Sequence, residues 1–156
     1  MRVEKDFEDF IKLLNKHNVS YLIVGAYALA LFAAPRNTGD IDIFIERSED
    51  NAKKILNVLK EFGFQSLGLT KKDFISKNMI VQLGVQPVRI DIISSISGVK
   101  FNEAFAAREE KQFGKTVANF ISKDFLIKNK KASARKKDLA DLELLQKTLT
   151  NKKNKI

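Results

Sequence analysis

Apolar residues recur along this chain at two periods, and the switches between them mark out its elements. Val3, Phe7, Phe10, Ile11 and Leu14 fall three and four apart, so an amphipathic helix over residues 3–17 opens the fold. Asn18 interrupts it, and Tyr21–Val24 is an apolar run of strand length. Gly25 follows at once, and residues 26–33 form an almost wholly apolar helix that Pro35 ends. Asp40–Ile45 then alternates strictly and reads as a strand. Residues 48–62 return to the helical period, with Ser48 at the start and Gly63 as a left-handed stop. Residues 64–69 predict a weak strand with a turn at 68–72, and residues 79–83 and Val88–Ile93 predict a hairpin. A loop with a short helix over 97–108 and an edge strand over 111–117 come next. Ser122 caps a further helix, and Leu139, Leu142, Leu145 and Leu149 mark a last one beginning at Lys136.

The chemistry lies on two of these strands. Residues two apart on a strand share a face and sit roughly 6.6 Å apart, so Asp40, Asp42 and Phe44 project to one side and Ile41, Ile43 and Ile45 to the other. Two like charges about 7 Å apart repel by roughly 2 kcal/mol at an effective dielectric of 20. A divalent cation repays that arrangement, because hard Mg²⁺ takes carboxylate oxygens and keeps waters and substrate phosphates as its other ligands. Alone, the pair also reads as two solvated aspartates at the lip of a strand. Val88–Ile93 repeats the pattern: Arg89, Asp91 and Ile93 share one face, so Asp91 is a third acid that converges with the other two if the strands are neighbours. Alone it too reads as a strand-edge acid paired with a surface lysine. Gly25, between a strand and a helix amino terminus, makes a corner where backbone N–H groups and the helix dipole can face an anion. Many such turns use glycine for geometry only.

At 156 residues, 44% hydrophobic and 30% charged, the chain reads as one globular domain with a helical appendage. No apolar run reaches the ~20 residues of a membrane helix, no signal-peptide core is visible at the start, and the expected location is the cytoplasm. With no cysteine and one histidine, His17, thiolate chemistry and Cys- or His-rich zinc sites are excluded. The net charge of +9 is uneven: residues 123–156 carry eleven Lys/Arg against four Asp/Glu. A surplus of that size suits a polyanionic partner, and equally a solvated helix with a lysine-rich end.

In order and spacing these residues resemble the DNA polymerase β-like nucleotidyltransferase superfamily, in the minimal prokaryotic branch that includes toxin and abortive-infection enzymes. That pattern is a strand, Gly-Gly or Gly-Ser opening a helix, Arg-x-Thr-x-Asp-x-Asp on a strand, and a third acid on a later strand. It stands here as Val24-Gly25-Ala26, Arg36-Asn37-Thr38-Gly39-Asp40-Ile41-Asp42 and Arg89-Ile90-Asp91. The stretch from Leu126 through Lys131 to Lys137, Asp138 and Asp141 is similar to the Lys and Lys-Asp signature of the toxin-like subgroup. Ala26 departs from the pattern, so only backbone N–H groups can serve there.

The resemblance implies an α/β (α+β) fold, with a small mixed sheet flanked by helices and a C-terminal helical extension. Its implied parts are a nucleotidyltransferase core over 1–121, an extension packed on the core over 122–150, and a disordered basic tail over 151–156. It implies Asp40, Asp42 and Asp91 as catalytic residues and ligands of two Mg²⁺ ions, with Mn²⁺ as an alternative. It implies Gly25, Ala26, Arg36, Thr38, Lys128, Lys131 and Lys137 as nucleotide-binding residues, and Asp138 and Asp141 as carboxylates that orient neighbouring lysines. The implied reaction moves a nucleoside monophosphate from a nucleoside triphosphate, ATP among the candidates, to an acceptor hydroxyl with release of pyrophosphate. RNA such as tRNA is the expected acceptor and an antitoxin protein a candidate partner. The alternatives are a small-molecule (antibiotic) nucleotidyltransferase and a non-catalytic nucleic-acid or protein-binding module that keeps the fold.

Overall fold

The computed structural model describes residues 3–33 and 38–154, with side chains as far as Lys147. Pro35 and Arg36 lie outside the described residues, as do 155 and 156.

Helix α1 (Lys5–Lys16) buries Phe7, Phe10, Ile11 and Leu14, the stripe its spacing requires. Strand β1 (Tyr21–Val24) is buried at all four positions and runs straight into α2 (Gly25–Phe32). Strand β2 (Asp40–Ile45) follows, then α3 (Glu49–Phe62), whose Ser48 hydroxyl caps the Asn51 N–H and whose Gly63 closes it at φ 98°. Beyond α4 (Lys72–Ile75) come β3 (Ile80–Val85) and β4 (Val88–Ile93), joined by the two-residue turn Gln86-Pro87. Then come α5 (Phe101–Ala106), β5 (Glu109–Phe113), β6 (Thr116–Phe120), α6 (Lys123–Ser133) and α7 (Lys136–Asn154).

The strands form one mixed sheet in the order β3-β4-β2-β1-β6-β5. The pairs β1–β2, β3–β4 and β5–β6 are antiparallel, while β2–β4 and β1–β6 are parallel. Ile41, Ile43, Ile90 and Ile92 face a core shared with α1 and α3, and Leu126 of α6 and Leu145 of α7 belong to that same cluster. Among the described residues no helix is long and apolar enough to cross a membrane.

Three elements differ from the sequence pattern. Residues 64–69 form no strand: a 3₁₀ turn at Gln65–Leu67 leads to α4. Asp73 accepts the Thr70 N–H at 2.8 Å, a local start that favours helix, and Phe74 supplies the buried side chain. Residues 111–117 are not one edge strand but the turn region of a hairpin. Of this hairpin, β5 lies at an edge of the sheet, and β6 reaches inward to pair with β1 because Ala118 and Phe120 continue the apolar alternation. Residues 151–154, expected as disordered tail, continue α7: lysine is a good helix former, and each added residue needs only one more backbone bond.

Buried Asn51 ties the sheet to α3. Its Oδ1 accepts the Ser20 N–H at 2.8 Å, and its Nδ2 donates to the carbonyls of Ser20 (3.1 Å) and Glu46 (2.9 Å). Replacing it leaves one donor and two acceptors at the base of β1 and β2 without their partner. Asn51→Ala should therefore lose about 2–4 kcal/mol in urea unfolding, and a loss below about 0.5 kcal/mol would contradict that role.

Candidate active site

The site is a consequence of strand pairing. Because β2 and β4 are parallel neighbours in register, Asp40 lies beside Arg89 and Asp42 beside Asp91. All four side chains emerge on one sheet face, opposite the isoleucines that lock the register. One carboxylate oxygen from each of Asp40, Asp42 and Asp91 lies within 4.8 Å of the others, a spacing that cations or protons must stabilise.

Gly25 brings a third backbone to this patch. It sits at φ 67°, and a Cβ there would collide with the Asp42 carboxylate, so only glycine lets the start of α2 approach so closely. Ala26 is the next residue of α2. The Thr38 hydroxyl lies 3.0 Å from both the carbonyl and Oδ1 of Asp40 and accepts the Asp40 N–H at 3.3 Å. It orders the entry to β2 through contacts to Asp40 itself.

Arg89 supplies the local countercharge. Its Nη2 donates to Asp40 Oδ2 at 2.8 Å and to Asp91 Oδ2 at 3.2 Å, and its Nε donates to Asp91 Oδ1 at 3.0 Å. Asp42 is outside this fork. Burial, then the charges of Asp91 and Asp40, push its carboxyl up to about 6 against weaker pulls from Lys137 and Arg89. Buried Asp91 is also raised: desolvation outweighs its bonds to Arg89, and it shares a hydrogen bond with Asp42.

Lys137 is exposed at the start of α7, and its charge reaches Asp42. Beneath it is a buried cluster. Lys130, 6% exposed, pairs with Asp138 at 3.3 Å and Asp141 at 3.1 Å. Asp138 also accepts from Ser133 (2.6 Å), from Arg135 Nε (2.7 Å) and from the Arg135 N–H (3.2 Å). Burial alone would raise the Asp138 carboxyl, but the bonds from Arg135, Ser133 and Lys130 hold it well below the usual carboxylate range. These acids anchor the α6–α7 turn, and through it the residue next to Lys137.

Lys128 and Lys131 are exposed on α6, and Lys128 lines a cleft at the ends of β2 and β4. Pattern reasoning had not singled out Arg89 or Lys130. Period-two spacing already set Arg89 on the face of Asp91, so its countercharge role was within reach. Lys130 stands among other lysines, and only the folding of α7 against α6 distinguishes it.

The donor set suits a hard divalent cation: three carboxylates, two of them with raised affinity for positive charge, and no sulfur or imidazole. The family model "Nucleotidyl transferase of unknown function (DUF2204)" matches residues 3–156. Among solved structures the fold is similar to that of a proposed nucleotidyltransferase from Thermotoga maritima, with a TM-score of 0.57 and 16% identity over 96% of each chain. No curated protein matches by sequence.

The raised carboxyl of Asp42 sets a pH dependence with a definite sign. The folded chain keeps this proton to higher pH than the unfolded chain, whose aspartates titrate near 4. The resulting stability is present at pH below that value and is lost as pH rises through about 6. In chelator, wild type should lose on the order of 2–3 kcal/mol relative to Asp42→Asn as pH rises from 4 to 7.5. Parallel urea-unfolding profiles for the two proteins would contradict this.

Proposed function

The chain belongs to the nucleotidyltransferase family whose model spans it, and from that premise we propose a metal-dependent transfer of a nucleoside monophosphate to an acceptor hydroxyl on RNA such as tRNA. The observation that carries this reading is the meeting of Asp40, Asp42 and Asp91 within 4.8 Å on two parallel strands, with Gly25 closing over Asp42. In this reading Asp40, Asp42 and Asp91 hold two Mg²⁺ or Mn²⁺ ions. Such ions, when bound, neutralise the triphosphate and stabilise the attacking and leaving oxygens of an in-line displacement.

The rest falls to the chain's own groups. The amides at Gly25 and Ala26 face the phosphates from the start of α2, and Lys137 adds a positive charge on the side of Asp42. Asp91, buried and poised above the usual carboxylate range, favours loss of the acceptor hydroxyl's proton. The hydroxyl oxygen bonds to the α-phosphorus, the α-phosphorus–oxygen bond to pyrophosphate breaks, and the proton leaves by way of Asp91. Arg89 donates to both Asp40 and Asp91 and so offsets part of their mutual repulsion. The core over 1–121 carries the acids, the helices over 122–150 carry Lys137, and an antitoxin that masks the site would fit a toxin-like role.

A second reading draws on Arg89 itself. A guanidinium that already neutralises two of the three acids suits a binding module that keeps the fold without catalysis. Divalent cations separate the two readings. Mg²⁺ or Mn²⁺ should raise the wild-type melting temperature by several degrees, and Asp40→Ala and Asp42→Ala should abolish the rise. The same two variants should release pyrophosphate from nucleoside triphosphates at least about 10³-fold more slowly. An unchanged wild-type melting temperature would favour the binding module.

A further inference from the structure

The acids do not occupy the whole of their sheet face. Phe44 is the next position after Asp42 on that face of β2, about 6.6 Å along the strand, and there a cleft of 980 Å³ begins. Its floor is apolar: Phe44 meets Phe101 of α5 edge to face, with centroids 5.1 Å apart, beside Ile96 and Val99. Ser94 and Ser95, which directly follow β4, line another side.

The rim is basic. Arg47 follows β2, Lys77 precedes β3, Lys100 precedes α5, and Lys128 comes from α6. All four are exposed, and among the described residues none forms an ion pair. Lys128 is instead held over the Phe125 ring, 5.8 Å from its centroid. Only Glu46 and Glu103 oppose them, and Glu46 already accepts the Ser48 hydroxyl at 2.9 Å. Cations from four separate segments thus surround one apolar-floored concavity without ion-pair partners among the described residues.

We propose that this cleft holds a single-stranded RNA acceptor, its phosphates met by Arg47, Lys77, Lys100 and Lys128 and a base packed over Phe101. Spaced cations suit a ligand with repeated negative charge, and an apolar floor suits an unpaired base, whose face is available only in a single strand. The strand would lead along β2 to the acids. Delivery of its hydroxyl there rests on the transferase reading, whereas RNA binding in the cleft does not.

The test uses the full chain, a short fluorescent single-stranded RNA, chelator and no nucleotide, across a KCl series. Four phosphate contacts predict a slope of about −3 in log affinity against log salt, and Lys77→Ala and Lys100→Ala should each weaken binding several-fold and reduce the slope by about 0.7. Thermal unfolding confirms that these surface variants fold, and their melting shift with Mg²⁺ should match wild type. Binding that survives Lys77→Ala, Lys100→Ala and Lys128→Ala together but is lost when Lys152, Lys153 and Lys155 become Ala would overturn the cleft. So would displacement of the RNA by polyglutamate at equal charge concentration, which would mark a site for acidic protein. Absent RNA binding with an intact Mg²⁺ shift would sink the cleft and spare the transferase reading. Cleft-dependent RNA binding with no Mg²⁺ shift would uphold the cleft and sink that reading.

Discussion

The parallel ladder between β2 and β4 is the constraint on which the site depends. It holds Asp42 beside Asp91 and Asp40 beside Arg89, with strands about 4.8 Å apart. The acids cannot relax by slipping one residue, because that shift would turn Ile41, Ile43, Ile90 and Ile92, each no more than 2% exposed, out of the core. Hydrophobic burial on one face of the sheet thereby enforces electrostatic tension on the other.

That tension is distributed among several groups. Arg89 forks across Asp40 and Asp91, Asp42 holds its proton to about pH 6, and the field of Lys137 reaches it from α7. Gly25 permits the approach of α2 without a side chain in the way. Further out, Lys130 between Asp138 and Asp141 fixes the turn from which α7 departs. Breaking one partner of such a buried pair is costly because it strands the other charge. The C-terminal helices bear on the acids through charge as well as through packing.

Much of this was legible in the chain. A short apolar run gave β1, alternation gave β2 and β4, helical spacing gave α1 and α3, and Ser48 and Gly63 bounded α3 through local chemistry that needs no tertiary context. The face shared by Asp40 and Asp42 followed from the two-residue period alone. What sequence could not supply was adjacency. The neighbour relation of β2 and β4 joins residues about fifty apart, and with it came the countercharge role of Arg89. Elements with weak patterns failed for local reasons. Residues 64–69 had too few apolar positions to define a period, and the stretch across Gly114 hid a two-residue turn, so a hairpin was read as one strand. Arg36 lies outside the described residues.

The central claim is that Asp40, Asp42 and Asp91 form one cation-binding unit. Calorimetric titration of Mn²⁺ at pH 6, repeated in buffers of different ionisation enthalpy, addresses it most directly. Saturable binding with release of about half a proton per site is the predicted result, because at pH 6 about half of the Asp42 carboxyls carry a proton that must leave before the ion is taken, and Asp42→Asn should abolish that release. Absence of binding, or an identical isotherm and proton count in the variant, would contradict it.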